Sequence, residues 1–165
     1  MKLSNKNKTI DMFFSWVLPV ALVVFVAFLC SRFLFQLLLI QGESMAPSYH
    51  NLQLVVLDKR RQTYAEGDVI AFHCEGFSAV LVKRIAGCPG DAVVIDGGTL
   101  LVNGQLSHTY NQEGMFENAG LLADPIKLDE DEYIVIGDNV AESKDSRYSE
   151  VGIVRAETIL GRVVQ

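Results

Sequence analysis

The sequence predicts a mostly β domain that follows a single N-terminal transmembrane helix. One long segment, residues 12–30, contains no charged side chain, whereas the later apolar segments are short and rich in β-branched residues. Tight turns that contain glycine separate several of these segments, at Asp96-Gly97-Gly98 and Asn103-Gly104, and such turns close β-hairpins. The 165-residue chain is long enough to form one globular domain with a hydrophobic core beyond the helix.

The apolar segment is long enough to cross a lipid bilayer. It contains 19 residues, and a helix of about 20 residues spans the hydrocarbon core. A cleavable signal sequence is the alternative, since basic residues precede the segment. The apolar part exceeds the usual length of about 7 to 15 residues, and no small-x-small cleavage site follows it. We therefore expect a retained anchor.

The charges on either side of this segment predict its orientation. Lys2, Lys6 and Lys8 precede it, whereas Arg32 is the only nearby cation after it. The positive-inside rule then keeps the N-terminus in the cytoplasm, in a single-pass protein of the cell (plasma) membrane. The predicted organisation is a cytoplasmic N-terminus (1–11), a transmembrane anchor (12–32) and an extracytoplasmic β domain (33–165).

Beyond Gly42 the chain is predicted to form short β-strands. The segments with this character are residues 52–57, 69–72, 79–85, 92–95, 133–136 and 159–164. Residues 33–40 are also apolar, and their periodicity leaves open whether they extend the membrane helix or form an edge strand. Residues 108–124 have little periodicity and are predicted to be a loop or a variable insertion.

Charge and cysteine content narrow the range of partners. The formal net charge is −6, and no basic patch with interleaved aromatic residues is found, so nucleic acid is not an expected partner. Cys30 lies at the edge of the apolar segment, where it serves as a small hydrophobic residue. Whether Cys74 and Cys88 form a disulfide stays open. The cysteine spacing matches no metal site, no cofactor is predicted, and the oligomeric state is not predicted.

Ser44 is a candidate nucleophile in the sequence GESMAPS. Serine in such a turn is usually a capping or turn residue, and as a nucleophile it needs a base. The three histidines, His50, His73 and His108, stand in no recognisable catalytic setting. The segment also differs from the G-x-S-x-G turn of α/β-hydrolases, so a Ser-His-Asp triad is disfavoured.

Lys83 is the other candidate base. It lies in the predicted strand AVLVKRIAG, where alternation places it on the face of Leu81 and Ile85 and places Arg84 on the opposite face. An apolar environment lowers the pKa of a lysine and favours the neutral amine. The alternative is a lysine whose stem covers apolar surface while its ammonium reaches water. A third polar segment, IGDNVAESKDSR, follows at residues 136–147.

Four segments in this order resemble the conserved motifs of the bacterial type I signal peptidases. They are GESMAPS with the candidate nucleophile, EGDVIAF (66–72), VKRIAGCPGD (82–91), and GDNVAESKDSR (137–147) followed by Gly152-Ile153-Val154. These membrane-bound serine proteases remove signal peptides from exported preproteins. Val140, where the family commonly has arginine, and a longer link before Gly152 depart from its pattern without removing a proposed catalytic group.

The resemblance implies roles for individual residues. Ser44 is expected to be the nucleophile and Lys83 its general base, with the Ser44 N–H donating to the oxyanion. Ser143 is expected to hydrogen-bond the lysine amine and orient it. Gly42, two positions before the nucleophile, supplies no second hydroxyl donor to the oxyanion. Two ion pairs are expected to support the site without taking part in the chemistry: Arg84 with Asp138, and Arg147 with Asp145.

The resemblance also implies the substrate. The family cuts after small residues, typically alanine one and three positions before the scissile bond. The candidate lining of the pockets that select them comprises Ile40, Gln41, Met45, Leu81 and Val82. The expected partners are preproteins with signal peptides and the lipid bilayer. Two alternatives remain: a specialised Ser–Lys maturation protease of a conjugation or pilus system, and a non-enzymatic membrane-anchored binding domain.

Overall fold

The computed structural model describes residues 4–60 and 63–164, and the side chains of residues 4–12 and 30–33 are outside the described part. Within that part, one α-helix precedes eleven β-strands and three short 3-10 helices. The elements are α1 Ser4–Phe33, β1 Phe35–Leu39, β2 Leu54–Asp58, β3 Val69–Cys74, β4 Ala79–Gly87, β5 Ala92–Asp96, β6 Thr99–Val102, β7 Gln105–Leu106, β8 Ile126–Lys127, β9 Glu132–Ile136, β10 Val154–Arg155 and β11 Ile159–Val164, with 3-10 helices at Glu75–Phe77, Gly120–Ala123 and Ala156–Thr158.

Two antiparallel sheets form the domain that follows α1. The larger has seven strands in the order β1-β2-β11-β3-β4-β9-β10, and the smaller has four in the order β7-β6-β5-β8. All six predicted strands are present, with ends that differ by a few residues. The prediction of a mostly β domain is therefore confirmed.

The helix α1 covers the whole of the predicted anchor, residues 12–32. Its described side chains, residues 13–29, are all exposed. Nowhere in the described part of the chain does a helix combine the length and the apolar character needed to cross a membrane. The predicted transmembrane helix at 12–32 is thus not found in the structure, although Met12 and residues 30–32 have side chains outside the described part.

Within residues 33–40, Phe33 is the last residue of α1, and residues 35–39 form an edge strand rather than an extension of the helix. β1 begins two residues after α1 ends and pairs with β2 in an antiparallel register from Phe35 opposite Asp58 to Leu39 opposite Leu54. Of the alternatives that periodicity left open, the edge strand is the one adopted. β1 ends five residues before Ser44, so it delivers the candidate nucleophile directly from the edge of the large sheet.

The central strands of the large sheet are buried on both faces. In β3, Val69 and Ala71 pack in one cluster with Met45, whereas Ile70 and Phe72 pack in a second. Because successive side chains of a strand point to opposite faces, a strand buried on both sides has a continuous apolar sequence. The clusters surround β4 and make Lys83, in the middle of this strand, poorly accessible to water.

The predicted hairpin turns and the predicted loop are both present. Gly97 and Gly98 connect β5 to β6, and Asn103 and Gly104 connect β6 to β7, all four with positive φ. The segment 108–124 is irregular, as predicted, but it is part of the core. Its buried side chains are Tyr110, Phe116 and Leu122, which pack against the smaller sheet. A loop can therefore lack periodicity and still fill a core.

Candidate active site

The turn that carries Ser44 is held to its neighbours by backbone hydrogen bonds. Gly42 has φ +89°, a left-handed conformation that glycine adopts without strain. Its N–H donates to Asn51 Oδ1 over 2.9 Å. The N–H of Ile40 donates to the carbonyl oxygen of Gln53 over 2.9 Å. Ser44 itself is partly exposed, so its hydroxyl can meet a substrate.

The structure brings Lys83 to Ser44. Lys83 is only 3% exposed, and its Nζ donates a hydrogen bond to Ser44 Oγ over 2.5 Å. Burial lowers the pKa of Lys83 from its ordinary value of 10.5 to about 8, although the charges of Asp145 and Asp138 favour the ammonium form. Near pH 8 a large fraction of this lysine is neutral, and a neutral amine can accept the serine proton.

Arg84, the next residue of β4, points to the opposite face of the strand and pairs with Asp138. Its Nε is 2.7 Å from Asp138 Oδ1 and its Nη2 is 2.5 Å from Oδ2. The same guanidinium donates to the carbonyl oxygen of Gly67 over 2.8 Å. This two-point contact joins the segment after β9 to β4. The hydrogen bonds to Asp138 raise the pKa of Arg84 above its ordinary value.

Asp145 and Arg147 form a buried ion pair. Arg147 Nε is 2.8 Å from Asp145 Oδ1, and both side chains are almost inaccessible to solvent. The second carboxylate oxygen of Asp145 accepts the N–H of Gly137 over 3.2 Å, and Arg147 donates to the carbonyl oxygen of Val140 over 2.7 Å. The pair therefore fixes the backbone between residues 137 and 147 from inside.

Ser143 lies beside the site but does not make the predicted hydrogen bond to Lys83. Its hydroxyl is buried and has no hydrogen-bond partner within the described part of the chain. Ser143 lies against Gly137, where an added Cβ would overlap both the Ser143 side chain and the Ser44 carbonyl oxygen. The amine of Lys83 is engaged with Ser44 instead.

An apolar cavity of about 240 Å³ opens beside Ser44 and Lys83. The end of β1 and the first half of β4 form its walls. All five residues proposed for substrate binding line it: Ile40, Gln41, Met45, Leu81 and Val82. The sequence-based set omitted Leu38, Leu39, Ala79 and Val80, which lie on the same two segments and complete the lining. The cavity can hold small apolar side chains next to the serine hydroxyl.

No metal site accompanies the serine and the lysine in the part of the chain that the structure describes. No three His, Cys, Asp or Glu side chains there are grouped so that they can hold an ion. The chemistry that this arrangement supports directly is nucleophilic attack by the serine hydroxyl, with the lysine amine as base.

Comparisons with known proteins show the family of the chain. The family model described as signal peptidase, peptidase S26, matches residues 13–165. A signal peptidase I P from Bacillus subtilis subsp. natto is 31% identical over 170 residues, which cover 95% of this chain and 88% of the relative. A signal peptidase I from Bacillus licheniformis is 32% identical over 170 residues, covering 97% of this chain and 89% of the relative.

The chain belongs to the signal peptidase family, peptidase S26. The predicted resemblance is confirmed, and the chain is a serine peptidase, a hydrolase. A solved structure of a signal peptidase I from Enterococcus faecalis V583 is 25% identical, with a TM-score of 0.48, and covers 62% of this chain and 97% of that one.

Two residues of this signal peptidase family member support the site, although the sequence assigned no role to either. Asn139 donates its N–H to the Ser44 carbonyl oxygen over 3.1 Å and its side-chain amide to the Glu43 carbonyl oxygen over 3.2 Å. Tyr110 donates its hydroxyl to the Ile136 carbonyl oxygen over 2.9 Å. Asn139 lies in the Gly-Asp-Asn turn, so the sequence indicated its place but not its partner.

The cysteines of the domain are not joined. Cys74 and Cys88 are both free thiols, and the Cys74 thiol donates to the Glu150 carbonyl oxygen over 3.3 Å. Burial raises the pKa of Cys88 to about 11. The side chain of Cys30 is outside the described part. A cavity of about 440 Å³ lies next to Cys74, and none of the proposed site residues lines it.

Proposed function

We propose that this enzyme is a membrane-bound endopeptidase that removes signal peptides from exported preproteins and cuts after small residues. Family membership supports a signal peptide as the substrate. The observation that carries the proposal is the 2.5 Å contact between Lys83 Nζ and Ser44 Oγ, made by a lysine that burial has brought to a pKa of about 8.

The proposed reaction begins with the neutral form of Lys83. Its amine takes the proton of Ser44 as Oγ attacks the carbonyl carbon of the scissile peptide bond. The resulting oxyanion accepts the Ser44 N–H. When the tetrahedral intermediate collapses, the lysine ammonium gives its proton to the leaving amine, and an acyl-serine remains. Lys83 then takes a proton from water as the water oxygen attacks the ester carbonyl. When the C–Oγ bond breaks, the lysine ammonium returns this proton to Ser44 Oγ, and the acid product is released.

The substrate is proposed to lie along the free edge of β4. Pairing between β4 and β9 begins at Arg84 opposite Ile136, so no strand among the described residues pairs with residues 79–83 on that side. An extended peptide can add to such an edge through main-chain hydrogen bonds. The apolar cavity then receives alternate side chains of the peptide, and its volume of about 240 Å³ favours small ones such as alanine.

We also propose a membrane anchor at 12–32, with the N-terminus cytoplasmic and the domain extracytoplasmic. It is supported by the uncharged sequence of residues 12–30 and by apolar side chains beside the helix. Leu37, Leu39 and Leu54 project from one face of β1 and β2 and are 44–63% exposed. A lipid surface can cover such a face, because exposed apolar patches mark contact sites.

The proposal is tested by cleavage of a preprotein with an Ala-x-Ala site in detergent. Full-length wild type, Ser44→Ala, Lys83→Ala and a control, Lys127→Ala, are compared. Lys127 is an exposed lysine of β8, outside the site. We expect cleavage at the site by wild type and control, and a loss of at least about 10³-fold in both site variants, since either change removes the nucleophile–base pair.

Two results contradict the proposal. Substantial cleavage by folded Lys83→Ala protein would exclude the lysine as base. No cleavage by folded wild type would exclude this substrate class, and pilin-like substrates would then test the specialised maturation protease.

A further inference from the structure

A second cavity meets the apolar one at Ser44 and Lys83. Its volume is about 270 Å³, and the two cavities share Gln41, Ser44, Leu81 and Lys83 in their linings. A polypeptide whose scissile bond lies at Ser44 Oγ must extend to both sides of that atom. The acyl half therefore occupies one cavity and the leaving half the other.

The chemistry of the second cavity differs from that of the first. Its remaining lining is Gly42, Glu43, Phe77, Glu142 and Lys144. The first cavity has three ionisable residues fewer: apart from the shared Lys83, it contains no charged residue. All three charged side chains of the second cavity are exposed, so they can meet a bound peptide.

Two of these charges are held by neighbours. The Glu142 carboxylate accepts the side-chain amide of Asn139 over 3.3 Å, the same amide that donates to the Glu43 carbonyl oxygen. The Lys144 ammonium lies 3.9 Å from the centroid of the Tyr148 ring, a cation–π contact. Glu43 adds a second carboxylate, so the cavity contains two negative charges and one positive charge besides Lys83.

We infer that this second cavity is the subsite for the first residues after the scissile bond, and that Glu43, Glu142 and Lys144 set its preference for basic over acidic side chains. The inference rests on the proposed function, which assigns the apolar cavity to the small residues before the bond. Excess negative charge attracts a lysine or arginine of the leaving half and repels a glutamate or aspartate. Single exposed charge pairs change affinity by about two- to five-fold, so we expect a preference of that order.

The test uses soluble peptides with one Ala-x-Ala site and full-length protein in detergent. Each of the first three residues after the bond is replaced in turn by lysine or glutamate, and kcat/KM is measured for each pair. Wild type, Glu142→Lys, Lys144→Glu and a control, Glu130→Lys, are compared. Glu130 is exposed and lies just before β9, whereas the site lies after the other end of that strand.

The two site variants should move the preference in opposite directions. Wild type should cleave the lysine peptide about three-fold faster than the glutamate peptide at the most sensitive position. Glu142→Lys should abolish or reverse this ratio, Lys144→Glu should increase it, and Glu130→Lys should leave it at the wild-type value. Preferences at the positions before the bond should be unchanged in all variants.

Three results would overturn the inference. Equal cleavage of the lysine and glutamate peptides by wild type would show that the cavity does not select charge, while the proposed function stands. Altered preferences before the bond, rather than after it, would mean that the peptide lies in the reverse direction. Failure of wild type to cleave any peptide would remove the proposed function and this inference together.

Discussion

Lys83 is buried near two carboxylates, but neither of them forms an ion pair with it. Asp145 and Asp138 both favour its charged form, but each carboxylate already pairs with an arginine, Asp145 with Arg147 and Asp138 with Arg84. The charge of Arg147 opposes this attraction and lowers the pKa of Lys83. Burial therefore determines the outcome, and the lysine is a base near neutral pH.

The activity of the enzyme should follow the titration of Lys83. Because only the neutral amine serves as base, kcat/KM should be low at pH 6, rise through a midpoint near pH 8 and reach a plateau above it. The measurement is kcat/KM for a soluble peptide between pH 5 and 10. A profile that stays level from pH 5 to 9, with the chemical step rate-limiting, would contradict the assignment.

Unfolding in urea at the same pH values provides the control. The lysine has a pKa of about 8 in the folded protein and an ordinary value of 10.5 when exposed. Between these two pH values the unfolded chain binds more protons than the folded protein. The contribution of Lys83 to the free energy of unfolding therefore increases as the pH rises from about 8, and it is lost as the pH falls back towards 8. If the protein is folded throughout, the rise in kcat/KM belongs to the base and not to refolding.

At the scale of elements, the segment between β9 and β10 supports the site from one side. Gly137 and Asn139 contact the backbone of the Ser44 turn, while Asp145 accepts the N–H of Gly137. The segment is itself joined to β4 through Asp138 and Arg84. A strand end, a turn and a loop are thus connected, and a displacement of the loop moves the nucleophile relative to its base.

Gly137→Ala should inactivate the enzyme with a loss of about 100-fold in kcat/KM, because a displacement of about 1 Å at a catalytic pair has effects of this size. The added Cβ would overlap Ser143 and the Ser44 carbonyl oxygen. Gly104→Ala is the control: it has open space but φ +76°, so it should cost about 1–2 kcal/mol in unfolding free energy. Its kcat/KM should stay close to that of wild type.

If both glycine variants lose activity in proportion to their unfolding free energies, the loop affects overall stability and not the position of Ser44. Thermal unfolding and kcat/KM at a temperature where each variant is folded separate the two effects.

At the scale of the whole molecule, the large sheet contains the base, Lys83, and leads through β1 to the turn with Ser44, while the smaller sheet packs against the loop 108–124. The helix α1 is joined to this unit through β1, the edge strand next to Ser44. Its described side chains are exposed, so it is not part of the core. It can therefore be removed with little effect on the packing of the sheets.

Deletion of residues 1–32 should reduce cleavage of preproteins in lipid vesicles by about 100-fold or more, since a shared membrane raises the effective concentration of enzyme and substrate. Cleavage of a short soluble peptide should change by less than about three-fold, because no shared surface contributes to that encounter. Thermal unfolding of the shortened chain checks that the domain is intact. An equal loss on both substrates would contradict this account.

The features that could be predicted from the sequence are those that depend on short local patterns of residues. The strands followed from β-branched segments, the hairpins from glycine turns, and Ser44 and Lys83 from motifs in a familiar order. It did not predict that Asn139 holds the backbone of residues 43 and 44, or that Tyr110 lies under the end of β9, because these contacts join segments far apart in the chain. Ser143 was expected to bind the amine, but whether a hydroxyl reaches its partner depends on side-chain packing that motif order does not specify.

The short connection between α1 and β1 limits the reach of the enzyme. Ser44 lies 11 residues beyond Phe33, the last residue of the helix, and a chain of that length spans at most about 40 Å. β1 itself takes up about 17 Å of this length. The distance between the end of α1 and Ser44 therefore has an upper limit. We expect a polypeptide that lies beside α1 to be cut only where its backbone comes within this distance of the helix end. Insertion of residues between α1 and Ser44 should move the position of cleavage along that polypeptide.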